Sequence, residues 1–338
     1  MKELLELMNI VSASGHESAI RSHLMKKIKP FGTDMKVDKF GNLIVHKKGK
    51  GPSIMLVAHM DEVGLMVKSI NVDGTIKVSP IGGIEPLACL NQKVLIPIKN
   101  KKQIMGIVST IKLSTGESIT EIPKRDDLFI DTGLGKEELK KLGIDVGTYI
   151  EFEKRAHYLG SQDYIMGKAA DDRVGCYILI ELIKKAKKIP SDIYFVFTVQ
   201  EEVGLYGART SVYNLNPQWA LVIDVLDAND LAEDKTRSLG KGPLLSIMDA
   251  QTLSNTCLNE TMKKIAKRKN IPLQLGVSDF GTTDALYISL SKGGIPTTVL
   301  GVAVRNVHSG IGIVNRKDIE SAIILILDLL KNPPKICS

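Results

Sequence analysis

Cysteine is scarce in this chain of 338 residues: Cys89, Cys176, Cys257 and Cys337 stand far apart, and none belongs to a CxxC pair. That spacing argues against a zinc ribbon or a disulfide framework and points to reduced thiols in the cytoplasm. Aromatic residues make up 5% of the chain, too few for a platform on which nucleobases stack. No apolar run approaches the roughly 18 residues of a membrane span. The opening MKELLELMNI lacks the basic-then-apolar order of a secretory signal. Internal repeats and low-complexity segments are also missing. Acidic residues fall short of basic ones, leaving a net charge of +7. The lysines are dispersed, with only short clusters such as KNKK at 99–102, so the excess reads as a solvated surface and excludes a nucleic-acid groove.

What is present is an ordinary globular composition, 43% hydrophobic and 25% charged, enough for a large core. Abundant Lys, Glu and Ile fit a heat-adapted protein. The first 30 residues carry helical spacing (Leu4, Leu5, Met8, then Ile20, Leu24, Ile28), broken by SASGHES. The stretch MKVDKFGNLIVHKKGKGPSIMLVAHMDEVG reads as two strands, and its SIMLVAHM is continuously apolar, as in a strand buried on both faces. From 67 to about 155 short strands alternate with turn signals, which predicts a small all-β barrel or sandwich. Thereafter helices and strands alternate: DDRVGCYILIELIKKAKK, DIYFVFTV, WALVIDVL, LNETMKKIAKRKN, DALYISLSKGG, IPTTVLGV and a closing helix KDIESAIILILDLLKN. The pattern predicts an α/β fold, a mixed and largely parallel sheet with helices on both faces. Residues 1–66 and 156–338 form one domain, interrupted by a β-rich insert at 67–155.

Polar, metal-capable residues fall at the ends of the apolar strands. His59 and Asp61 close SIMLVAHMD, and in an extended chain i and i+2 share a face. Asp61 is therefore placed to orient His59 through its second ring N–H. Asp171 and Asp172 open a helix, Glu201 and Glu202 follow DIYFVFTVQ, Asp224 lies in WALVID, and His308 follows TTVLGVAVRNV. Ligands of open α/β sheets bind outside the carboxyl ends of the strands. Each residue has a plainer reading alone: a hydrogen-bonded structural histidine, an N-cap, a loop cap, a solvated glutamate pair. Together they offer N and O donors enough for two divalent ions. Two cations would also relieve the repulsion between Glu201 and Glu202. One of these carboxylates could then hold metal while the other moves a proton.

Six blocks in order, AHMDEVG, AADDRVGC, VQEEVGLYGA, VIDV, GTTDA and VHSG, resemble the signatures of the M42 metallo-aminopeptidases, the tetrahedral (TET-type) peptidases, some of which have been labelled cellulases. The resemblance covers nearly the whole chain. It implies that His59, Asp171 and Asp224 bind one metal ion, and that Asp171 bridges to a second held by Glu202 and His308. It makes Glu201 the general base, with Asp61 supporting His59. Asp172 and Asp284 would lie behind the ligands or face the substrate. It further implies a zinc-peptidase-like domain, and an insert that dimerises the chain within a hollow homododecamer. Zinc or cobalt is expected, manganese next, and the substrate is a peptide with a free N-terminus. The chain has GTTDA where the family has GGTDA, and the preceding GVSDF leaves two readings: a neutral pocket favouring Leu or Met, with Asp279 capping a turn, or an Asp279 that faces the first side chain of the substrate and attracts Lys or Arg. A carboxypeptidase or deacylase is the nearest competing reading. A glycosidase using Glu201 and a second carboxylate leaves both histidines idle, and a non-catalytic scaffold has no use for Glu201.

Overall fold

The computed structural model describes residues 1–153, 155–233 and 235–334. Their strands are β1 (Asp34–Val37), β2 (Leu43–Lys47), β3 (Ser53–His59), β4 (Gly64–Ile70), β5 (Ile76–Ile81), β6 (Lys93–Ile98), β7 (Lys102–Ser109), β8 (Phe129–Asp131), β9 (Tyr149–Phe152), β10 (His157–Tyr158), β11 (Tyr164–Gly167), β12 (Asp192–Thr198), β13 (Trp219–Asp227), β14 (Leu244–Met248), β15 (Gln274–Val277), β16 (Thr297–Arg305) and β17 (Gly312–Asn315). The stretch before residue 60 thus holds three strands rather than two. Asp38 accepts the amides of Phe40, Gly41 and Asn42, and that turn divides β1 from β2.

The larger sheet runs β1-β2-β12-β3-β13-β16-β17-β11-β10, with β14 beside β16 and β15 beside β14. Its centre, β12-β3-β13-β16, is parallel, and antiparallel strands flank it. The apolar run of β3 divides by the strand period of two. Ile54, Leu56 and Ala58 enter the core under the helices Lys2–Met8, Ala170–Lys185, Thr256–Lys269 and Arg316–Lys331, whereas Met55 and Val57 enter a second core under Tyr206–Tyr213 and Ala285–Ser289. A strand covered on both faces has no solvent side, so it shows no polar alternation.

Strands β4 to β9 close a separate barrel in the order β4-β5-β8-β7-β6-β9, around Leu65, Val67, Ile76, Val94, Ile96 and Ile130. Cys89 and Cys176 are buried free thiols, as expected; Cys337 lies outside the described residues. No helix among the described residues is long and apolar enough to cross a membrane.

Candidate metal centre

Parallel register brings the polar strand ends to one level. Thr198 pairs with His59 across β12 and β3, and Val57 pairs with Val222 across β3 and β13. His59 and Asp224 each stand two residues further on, so both reach the carboxyl edge together. The turn after β12 adds Glu201 and Glu202, the start of the helix Ala170–Lys185 adds Asp171 and Asp172, and the loop after β16 adds His308. His308 takes the left-handed backbone conformation, with φ 54°, at a cost of roughly 1–2 kcal/mol for a residue bearing a Cβ.

Asp171 lies between the histidines. Its Oδ1 is 2.9 Å from His59 Nε2, and its Oδ2 is 3.5 Å from His308 Nε2. His308 Nε2 also lies 3.2 Å from Glu202 Oε2, and His59 Nε2 lies 3.9 Å from Asp224 Oδ1. Two donor groups converge within 4.8 Å: His59 with Asp171 and Glu202, and His59 with Asp172 and Asp224. Asp172 therefore stands inside the donor cluster, closer than a residue merely behind it. Its Oδ1 accepts the Gly175 amide at 2.9 Å, and a Cβ on Gly175 would fall 2.3 Å from its Oδ2, so only glycine fits there.

Asp61 is fully buried and meets His59 together with several other groups. His59 Nδ1 faces Asp61 Oδ1 at 3.4 Å, longer than an ordinary hydrogen bond. The closer partners of Asp61 are Ser14 Oγ at 2.6 Å and the amides of Glu201 and Glu202 at 3.1 and 3.2 Å. Asp284 accepts from Thr198 Oγ1 at 2.5 Å.

Burial first, and then the neighbouring carboxylates, push Glu201 and Asp224 well above the usual carboxylate range. Burial followed by the charge of Asp224 does the same for Asp172, and burial followed by the charge of Asp171 raises Glu202. Burial lifts Asp284 to about 6 against the Thr198 bond. The Glu202 hydrogen bond raises His308 to about 9. For His59, burial pulls downward, but Glu201 and Asp171 outweigh it and the ring is held well above its ordinary value. Asp172 Oδ2, Glu202 Oε1 and Asp284 Oδ1 are buried without hydrogen-bond partners. Crowded carboxylates with unused oxygens and two imidazoles are a donor set that fits divalent cations, which supply the missing positive charge.

The cluster opens into a cavity of about 390 Å³ lined also by Arg237, Asp249, Gln251, Phe280, Thr282 and Tyr287. Asp279 is exposed and is not among its lining residues, although Ser278 and Phe280 on either side are, which lends no support to the reading in which Asp279 meets the substrate. The sequence reading also passed over the approach of the barrel. A Cβ on Gly83, just past β5, would lie 2.9 Å from His308 Nδ1. Its neighbour in IGGIE, Gly82, abuts Glu202. A glycine pair leading out of a strand was the available signal.

The chain matches the family described as M42 glutamyl aminopeptidase over residues 41–325. It is 33% identical to a lysyl aminopeptidase of Pyrococcus furiosus, over 98% of this chain and 96% of the relative. The solved structure of an aminopeptidase from the archaeon Desulfurococcus kamchatkensis superimposes with a TM-score of 0.93 at 33% identity, covering 98% of this chain and 94% of that one. A TET peptidase of Pyrococcus horikoshii, which can assemble into a tetrahedron or a large octahedral shell, matches with a TM-score of 0.88 at 31% identity over 98% of this chain and 99% of that one.

Proposed function

This chain belongs to the M42 peptidase family and is an aminopeptidase; on that premise we propose that it releases N-terminal residues from peptides using two divalent metal ions and Glu201 as proton carrier. One observation supports the two-ion reading: Asp171 meets His59 with one carboxylate oxygen and His308 with the other, so its carboxylate would be available to both ions. His59 and Asp224 would complete one site, with Asp172 against it, and Glu202 and His308 the other. With no thiolate among them, these donors suit zinc or cobalt, then manganese. Such ions polarise a scissile carbonyl and make water easier to deprotonate.

The protein's own groups do the rest. Glu201, buried and raised in proton affinity, takes the proton of the attacking water as the C–O bond forms. It returns that proton to the leaving nitrogen as the C–N bond breaks. Asp61 holds the amides of Glu201 and Glu202 and so fixes where both carboxylates stand. Asp284 is tied to Thr198 at the end of β12.

The barrel, expected as the dimerisation domain of residues 67–155, pairs this chain with a second copy, and dimers close into a dodecamer. Such a shell would admit unfolded peptides and spare folded proteins. The test compares free-amine peptides, their N-acetylated forms and cellulose, each with and without chelator. Cleavage of free-amine peptides alone, abolished by chelation and restored by zinc or cobalt, is expected. Full activity in protein shown metal-free by elemental analysis would refute the two-ion reading, and cleavage of acetylated peptides the exopeptidase reading.

A further inference from the structure

Strand β12 ends at Thr198, and the next four backbone amides have left the sheet. Each is taken by a side chain from elsewhere. Val199 donates to Asn42 Oδ1 at 3.1 Å, Gln200 to Glu17 Oε1 at 3.2 Å, and Glu201 and Glu202 to Asp61 at 3.1 and 3.2 Å. Gln200 has φ 54°, a left-handed conformation that is unfavourable for an L-residue. Such a residue keeps that conformation only where its surroundings over-determine it.

Glu17 is well placed to impose it. It is 5% exposed, precedes the helix Ser18–Ile28, and receives the Gly15 amide at 2.7 Å on the same oxygen that receives Gln200. Burial, and then the nearby charge of Asp61, raise its proton affinity. Two carboxylates buried close together are unfavourable in themselves. What they gain jointly is three consecutive amides of the catalytic turn.

We propose that Glu17 is a positioning residue for Glu201: by holding the Gln200 amide it keeps the turn in the left-handed form that sets the Glu201 carboxylate in the cavity. The proposal rests on Glu201 carrying the proton. It reaches the chemistry from a loop near the N-terminus that supplies no ligand.

The test uses the full-length metal-loaded enzyme and the variants Glu17→Met, Glu17→Gln and Glu201→Gln. It measures kcat and KM on a free-amine peptide, metal content by elemental analysis, and melting temperature. Glu17→Met removes the acceptor at similar volume and should lower kcat by roughly 10- to 100-fold, the scale of a catalytic group displaced by about 1 Å. KM and metal content should stay near wild type. Glu17→Gln keeps a carbonyl oxygen for both amides and should retain kcat within about threefold, since that acceptor is all the turn requires. Full kcat in Glu17→Met, a loss confined to KM, a loss that tracks metal content, or equal impairment of the Gln and Met variants would each overturn the proposal. If Glu17→Met does not fold, Glu17→Asp, one methylene too short to serve both amides, replaces it under the same criteria. Unimpaired Glu201→Gln would instead overturn the proton-carrier reading itself; impaired Glu201→Gln with normal Glu17→Met would overturn only the positioning role.

Discussion

Glu151 offers a measurable electrostatic cost in the barrel wall. It sits on β9, 9% exposed, with Oε2 buried and unpartnered. Burial lifts its carboxyl from an ordinary 4.5 to about 7; Lys168 opposes the rise and Glu62 adds to it. Lys168 is engaged elsewhere, bonded to both oxygens of Glu62 at 2.8 and 2.9 Å. Because the folded-state value is raised, the folded chain binds the proton more tightly than the unfolded chain between these two values. Stability is therefore fully present below about 4.5 and falls as pH rises toward about 7. At 1.36 kcal/mol per pH unit the loss is at most about 3 kcal/mol. Unfolding entropy of roughly 2.1 cal/mol/K per residue makes that about 4 °C for a chain of this length. Glu151→Gln removes the titration while keeping the shape. Melting curves at about pH 5 and pH 8 should show the variant close to wild type at the lower pH and about 4 °C more stable at the higher one. Identical displacement at both pH values, or a variant less stable at pH 8, would refute the reasoning.

The adjacent glutamates should separate by phenotype. Glu201→Gln should keep its metal and lose turnover by at least roughly 10²-fold, whereas Glu202→Gln should lose metal occupancy by elemental analysis; exchanged phenotypes would reverse the assignment. Arg237 lines the cavity, its Nε is buried without a hydrogen-bond partner, and it forms no ion pair among the described residues. Arg237→Gln should therefore lower kcat/KM for a Glu-linked chromogenic substrate about 10-fold more than for a Leu-linked one, the scale of a lost charge-assisted bond; equal losses would remove it from substrate choice. Light scattering should show a dimer at minimum and a dodecamer as the assembled state. A stable, fully active 37.0 kDa monomer would refute both.

The candidate site was legible because polar residues at the ends of apolar runs stand out against their neighbours. His59, Asp171, Glu201, Glu202, Asp224 and His308 all line the same cavity. The barrel was legible from its turn spacing. Less visible were contacts with no local pattern. SASGHES reads as a helix break, yet its Ser14 and Glu17 hold Asp61 and the Gln200 amide, the latter 183 positions away. Asp279 stayed open between two readings because a loop has no period from which to infer a facing side.

The position of the barrel also sets the order in which the enzyme is built. A ribosome delivers roughly 5–20 residues per second, so His59 emerges on the order of 10–50 s before His308 at that rate. Through much of this interval β3 exists without β12 or β13, its neighbours in the sheet. It is an apolar strand with both edges open, the kind of template on which nascent chains pair wrongly. The barrel draws all six strands from one uninterrupted stretch and closes on itself, so it can finish folding while the sheet waits. Joined to β3 through residues 60–63, a barrel that closed first would leave only the sheet's own strands with open edges.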